Sequence, residues 1–210
     1  MSVDSRGTSS RMLAPGDVFF TRGAGFVSVM IRFFTRSIGE ARTEVSHVGL
    51  VVEGGPIEGA VVVEALSRVR RHRLWARYGR KRRTAVAVYR AKSLNAEQIR
   101  KMVEKTEAYV GREYGWPTIV AHFLDWFLQG AYFFRRIIGG DDYPICSWVV
   151  AHAYKEVGLR FGVEARAASP DDIWDFVVEK RPDLYDEIRP LIPLIETPTT
   201  VEDKLDHSSS

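Results

Sequence analysis

The sequence predicts an α+β fold in which an antiparallel sheet is packed by helices. Three observations carry this. Runs rich in valine at 45–53, 60–66 and 85–90 lie close together, and β-branched residues suit a pleated, half-buried surface. Gly54-Gly55-Pro56 separates the first two runs and marks a turn that brings them back as a hairpin. Helical spacing of apolar residues then dominates the later part of the chain, at 95–110, 146–157 and 169–178.

Residues 1–12 read as a disordered lead, rich in serine and without an apolar run. Pro15-Gly16-Asp17 is a turn, and Val18-Phe19-Phe20 begins the first strand. Residues 25–38 form an apolar stretch with polar interruptions at Ser28, Arg32 and Arg36, read as a helix. The strands 45–53, 60–66 and 85–90 follow. In 95–110, Ala96, Ile99, Val103, Thr106 and Val110 fall on one helical face, and Ser93 is the candidate N-cap. Pro144 closes a connection, and the helix 146–157 stops at Gly158. Ser169 with Pro170 supplies an N-cap and a first helical residue for a short helix to 178. Pro190, Pro193 and Pro198 give 190–210 the character of an extended tail. The folded unit is therefore expected to be one domain over 13–189.

The segment 118–138 is rich in aromatic residues, with Phe123, Trp126, Phe127, Tyr132, Phe133 and Phe134. Asp125, Arg135 and Arg136 interrupt it, and each charge costs roughly 2.5–3.5 kcal/mol in membrane insertion. It is read as an amphipathic helical insertion instead of a transmembrane helix. A core helix, a lid over a pocket and a membrane-surface element all remain open for it.

The chain has 210 residues, 45% hydrophobic and 27% charged, an ordinary soluble composition that can bury a substantial core. Its single cysteine excludes an internal disulfide framework and a multi-cysteine zinc site. The first ten residues lack the apolar core of a signal peptide, which leaves the cytoplasm as the default expectation. The net charge of +3 is modest but uneven: residues 68–83 hold nine arginines and lysines. The run suits an anionic polymer or lipid surface, or a solvated connection between strands. No base-reading motif accompanies it, so no specific nucleic-acid partner is expected.

The chemistry centres on Cys146, in Pro144-Ile145-Cys146-Ser147-Trp148, at the expected start of a helix. A helix N-terminus lowers a thiol pKa, and an imidazole can hold the resulting thiolate. His47, in Ser46-His47-Val48-Gly49, opens a strand and is the candidate base, ahead of His72, His122, His152 and His207. Glu64, in Val62-Val63-Glu64-Ala65, is an acid inside an apolar strand, which is costly unless paired. Hairpin neighbours can bring it beside His47 as the orienting third member of a triad. A salt bridge to a nearby arginine would also satisfy it, and Asp17 and Glu53 compete for the triad role.

These pieces, in order, resemble a known family. Pro15-Gly16-Asp17-Val18-Phe19-Phe20, Ser46-His47-Val48-Gly49-Leu50-Val51, Val63-Glu64-Ala65, Tyr109-Val110-Gly111-Arg112-Glu113-Tyr114-Gly115-Trp116, Cys146-Ser147 and Ser169-Pro170-Asp171-Asp172-Ile173 are similar to segments of the permuted papain-like, NlpC-related cysteine hydrolases, often called YiiX/YaeF-like. The likeness spans about residues 13–178. It implies a circularly permuted papain-like (NlpC-type) fold, in which the histidine strand precedes the cysteine helix. It further implies Cys146 as nucleophile, His47 as base, Glu64 as orienting residue and Tyr114 as an aromatic bordering the cysteine. The implied activity is thiol hydrolysis of an amide through a thioester, as in an amidase or peptidase, with peptidoglycan peptides as the first substrate class and no metal or organic cofactor. A lipid acyltransferase of the related lecithin:retinol type and a non-catalytic protein docking on an anionic surface are the alternatives. Relatives often carry acids where this chain has Trp148 and Gly115, and the insertion at 118–138 is long for the group. These departures bear on the substrate more than on the triad.

Overall fold

The computed structural model describes residues 12–23, 44–113 and 146–194. The readings of 25–38 and 118–138 as helices, and of Tyr114 as a residue bordering the cysteine, lie outside the described residues. Within them the α+β expectation holds, with a larger sheet than the sequence suggested. Six strands, β1 (Val18–Arg22), β2 (His47–Glu53), β3 (Val61–Ala65), β4 (Val69–Arg73), β5 (Ala85–Ala91) and β6 (Tyr185–Pro193), form one sheet in the order β4-β3-β2-β1-β5-β6. Every neighbouring pair is antiparallel.

Two strands were not expected. β4 and the helix α1 (Leu74–Tyr78) occupy the basic run, which is thus not a mere solvated connection. On β4 only Val69 is buried, so apolar alternation gives it little signal. β6 pairs along β5 as an edge strand and extends to Pro193. The extended tail therefore does not begin at 190. Pro190 and Pro193 are tolerated because an edge strand leaves backbone N–H groups that need no ladder partner.

Alternation along the strands splits the core into two layers. Val18, Phe20, Val48, Leu50, Val63, Ala87 and Tyr89 face the helices α2 (Ala96–Glu107), α3 (Cys146–Glu156) and α4 (Pro170–Asp175). Trp174 of α4 meets Phe20 and Tyr89 edge-on at centroid distances of 5.2 and 5.8 Å. The opposite face carries Phe19, Val51, Val62, Val86 and Val88, covered by Leu74 and Tyr78 of α1. Each fully buried aliphatic or phenylalanine side chain contributes roughly 1.5–3 kcal/mol.

The caps refine the helix boundaries. Asn95, not Ser93, caps α2: its side chain accepts from the Gln98 N–H at 2.9 Å, and the Gln98 side chain accepts from the Asn95 N–H at 3.0 Å. The expected cap at Ser169 is present, with Pro170 as the first helical residue. Asp17 is the turn residue that its sequence context implies. It is fully buried, accepts from the Ala14 N–H at 2.8 Å and takes both arms of Arg90 at 2.7 and 2.8 Å. That pairing ties the start of β1 to β5.

Candidate active site

His47 opens β2, and Thr21 of β1 is opposite it. On the other side, Leu50 faces Val63 and Val51 faces Val62. Stepping back along β2 toward His47 thus runs forward along β3 toward Glu64. The two become diagonal neighbours on the α1 face, within reach of long side chains. Gly49 lies between them. A Cβ there would come within 2.4 Å of a Phe19 ring carbon and 2.9 Å of the Val63 carbonyl oxygen, so only glycine lets the strands and the Phe19 ring close up at this point.

Glu64 is buried, and its side chain has no exposed surface. Its Oε2 accepts from His47 Nε2 and, at 2.7 Å, from the Tyr78 hydroxyl. Its Oε1 is 2.7 Å from His72 Nε2 and 3.4 Å from Arg77 Nε. Glu64 therefore meets both of the partners its sequence context offered, His47 and an arginine. Burial opposes its charge, but the charge and hydrogen bond of His47, with the bonds from His72 and Tyr78, hold the carboxyl far below the usual carboxylate range.

Cys146 begins α3, a helix buried along most of its surface, and is itself 4% exposed. The helix delivers the thiol to the start of β2. There the thiol is hydrogen-bonded to His47 and accepts from the backbone N–H groups of Val48 and Ser147. Burial alone would raise the thiol pKa. The His47 charge and these three hydrogen bonds reverse the direction and lower it. Burial would likewise lower the His47 pKa, but the charges of Cys146 and Glu64 outweigh it and push it up to about 10. Because Nε2 of His47 is taken by Glu64, Nδ1 is the nitrogen left for the thiol. Cys146, His47 and Glu64 thus interact in series, the thiol with His47 and His47 with the carboxylate.

The rival acids are engaged elsewhere, Asp17 with Arg90 and Glu53 with Arg71. His152 stacks on Trp148, with ring centroids 3.9 Å apart. Trp148 also packs against Tyr109 at 4.9 Å. Sequence reasoning offered Glu64 an arginine without saying which, and did not bring His72 or Tyr78 to it. The available signal was strand pairing: β4 sets His72 opposite Val62, which puts it on the same face as Glu64. Among the described residues no group of three or more His, Cys, Asp or Glu side chains is arranged to hold a metal ion. His47 and His72 both turn Nε2 onto Glu64 instead of converging on a common point.

The fold and site define an α+β protein with a Cys–His–Glu series at one end of an antiparallel sheet. Among solved structures, the chain is similar to the metalloprotein YiiX from Escherichia coli O157:H7 (DUF1105), with a TM-score of 0.51 and 20% sequence identity over 88% of this chain and 93% of that one. The likeness extends the shared fold over nearly the whole of both chains. No family model matches the sequence, and no curated protein does.

Proposed function

We propose that the chain is a cysteine-dependent acyl hydrolase of permuted papain-like, NlpC-related type, acting on an amide as an amidase or peptidase does. The observation that carries this reading is the position of His47, bonded at once to the Cys146 thiol and to Glu64. A cysteine that only packs needs no such partners.

In this reading the resting site holds a thiolate and an imidazolium. The thiolate attacks the carbonyl carbon, and the carbonyl π pair moves to oxygen. Backbone N–H groups at the start of α3, that of Cys146 included, are the candidate donors to this oxyanion. His47 gives its proton to the leaving amine as the C–N bond breaks, which leaves a thioester. Water then attacks the thioester with His47 as base, releasing the acid and restoring the thiolate and imidazolium. Glu64 keeps its charge throughout and fixes the ring. Peptides, those of peptidoglycan first, are the substrate class that the family resemblance suggests.

YiiX is described as a metalloprotein. The donor set here does not fit a metal, since both imidazoles are spent on one carboxylate, and no step of the proposed reaction passes through one. A second reading of the partner rests on the exposed cations Arg70, Arg73, Arg80, Lys81, Arg82 and Arg83. They suit an anionic polymer or a lipid surface, and hence the acyltransferase alternative. Sedimentation with anionic vesicles separates the two: retention that salt abolishes favours the lipid surface.

The direct test uses the single cysteine. A free thiol with a pKa of about 8.5 is only about 0.3% thiolate at about pH 6. Ultraviolet thiolate absorbance and iodoacetamide alkylation should show Cys146 largely ionised there, and His47→Ala should return it to free-thiol behaviour. If the wild type already titrates like a free thiol, the hydrolase reading falls.

A further inference from the structure

We infer that His72 is a positioning residue of this site, holding Glu64, and through it the His47 ring, from the edge strand of the sheet. The inference rests on the hydrolase reading above and adds a fourth side chain to it. His72 lies on β4 and its side chain is 21% exposed, whereas the Glu64 side chain it meets is wholly enclosed. Its Nε2 is 2.7 Å from Glu64 Oε1, and its Nδ1 is 3.1 Å from the Arg73 carbonyl oxygen. A carbonyl oxygen and an ionised carboxylate can only accept. The Nε2–H of His72 therefore donates to the Glu64 carboxylate.

The consequence is a division of labour on one carboxylate. Oε2 serves His47 and Tyr78, and Oε1 serves His72 and Arg77. A carboxylate is planar, so fixing Oε1 from β4 and α1 fixes the direction in which Oε2 faces His47. The groups around His72 are Glu64 from β3, with His47 of β2 behind it, and Arg77 and Tyr78 from α1. His72 adds a donor on the far side of Glu64 that keeps the carboxylate from turning. Loss of the donor loosens His47 and so raises the pH at which Cys146 ionises.

The test is a thiolate titration of Cys146 in the full chain, by ultraviolet absorbance and by iodoacetamide rate, on folded protein checked by circular dichroism. His72→Ala should move the acid inflection up by about one pH unit, so that alkylation below it is about tenfold slower. His72→Gln, which restores a donor toward Oε1, should recover most of that shift. Arg82→Ala, which removes a cation of the same basic run, should leave the inflection in place. A histidine that only fills space would change the melting temperature and not the inflection. An unmoved inflection in His72→Ala overturns the inference, as does an equal shift in Arg82→Ala or no recovery in His72→Gln. Should His72→Ala not fold, His72→Phe, which keeps a ring and removes both nitrogens, carries the test: an inflection equal to wild type in it overturns the inference. His47→Ala separates the two levels. If it shifts the inflection and the His72 variants do not, only the inference fails; if it does not, the hydrolase reading itself fails.

Discussion

The thiolate–imidazolium pair should leave a mark on stability as a function of pH, and its shape follows from counting protons. In the unfolded chain His47 titrates near its ordinary value of 6.5 and Cys146 near 9.0. In the fold His47 keeps its proton up to about 10, while the thiol gives its proton up early. Above 9.0 the unfolded pair has lost both protons, while the folded imidazolium keeps its own, so the contribution falls as pH rises through about 10. That flank has a slope of about 1.4 kcal/mol per pH unit. The assay is urea unfolding across this range, for wild type and for the Cys146→Ala/His47→Ala double variant. The difference between the two isolates the pair from the other titrating groups. A difference that stays level from pH 9 through about 10 would mean that folding does not raise the His47 pKa, and the ion-pair reasoning would be refuted.

Three further outcomes are expected. Glu64→Gln keeps the shape of the side chain but offers one acceptor oxygen where the carboxylate has two, so one set of donors must lose its partner; breaking such a buried pair costs about 3–5 kcal/mol, measured by urea unfolding, and a loss under about 1 kcal/mol would contradict the four-partner description. The same variant should lower the thiolate absorbance of Cys146 near neutrality, because the His47 imidazolium loses its counterion; unchanged absorbance would show that Glu64 does not hold the ring. Gly49→Ala should destabilise the sheet by about 1–3 kcal/mol through overpacking against the Phe19 ring and the Val63 carbonyl, and wild-type stability in this variant would show that the ring yields freely.

What could be read from the sequence was the part that local pattern encodes. Val48, Leu50 and Val52 alternate with the other face of β2, Ser169-Pro170 announces a helix start, and Glu64 is conspicuous because an acid inside Val61-Val62-Val63 demands a partner. What could not be read was set by tertiary pairing. β4 buries only Val69, and β6 contains two prolines and only one fully buried residue, Tyr185. Neither shows the alternation that marks a strand with one apolar face. Their strand character comes from the ladders of β3 and β5 beside them.

The same limit explains why the site itself was only partly visible. His47 and Glu64 are joined by a hairpin, so a local reading reaches both. Cys146 comes from the helical layer, about a hundred residues later, and only its helix-start context and the family likeness link it to them. His72 and Tyr78 sit in a stretch whose arginines dominate any composition-based reading, and that charge conceals a structural division. Arg71 leaves the site to bridge Glu53 and Glu107, Arg77 turns in to Glu64, and the remaining cations stay at the surface. The buried Glu64 carboxylate is what sorts them. An enclosed anion with two oxygens selects from a cationic strand and helix the side chains whose geometry fits, and these are a histidine, a tyrosine and one arginine. The basic run thus has two faces that its sequence merges: one surrounds the buried Glu64 carboxylate, and the other carries its cations at the surface.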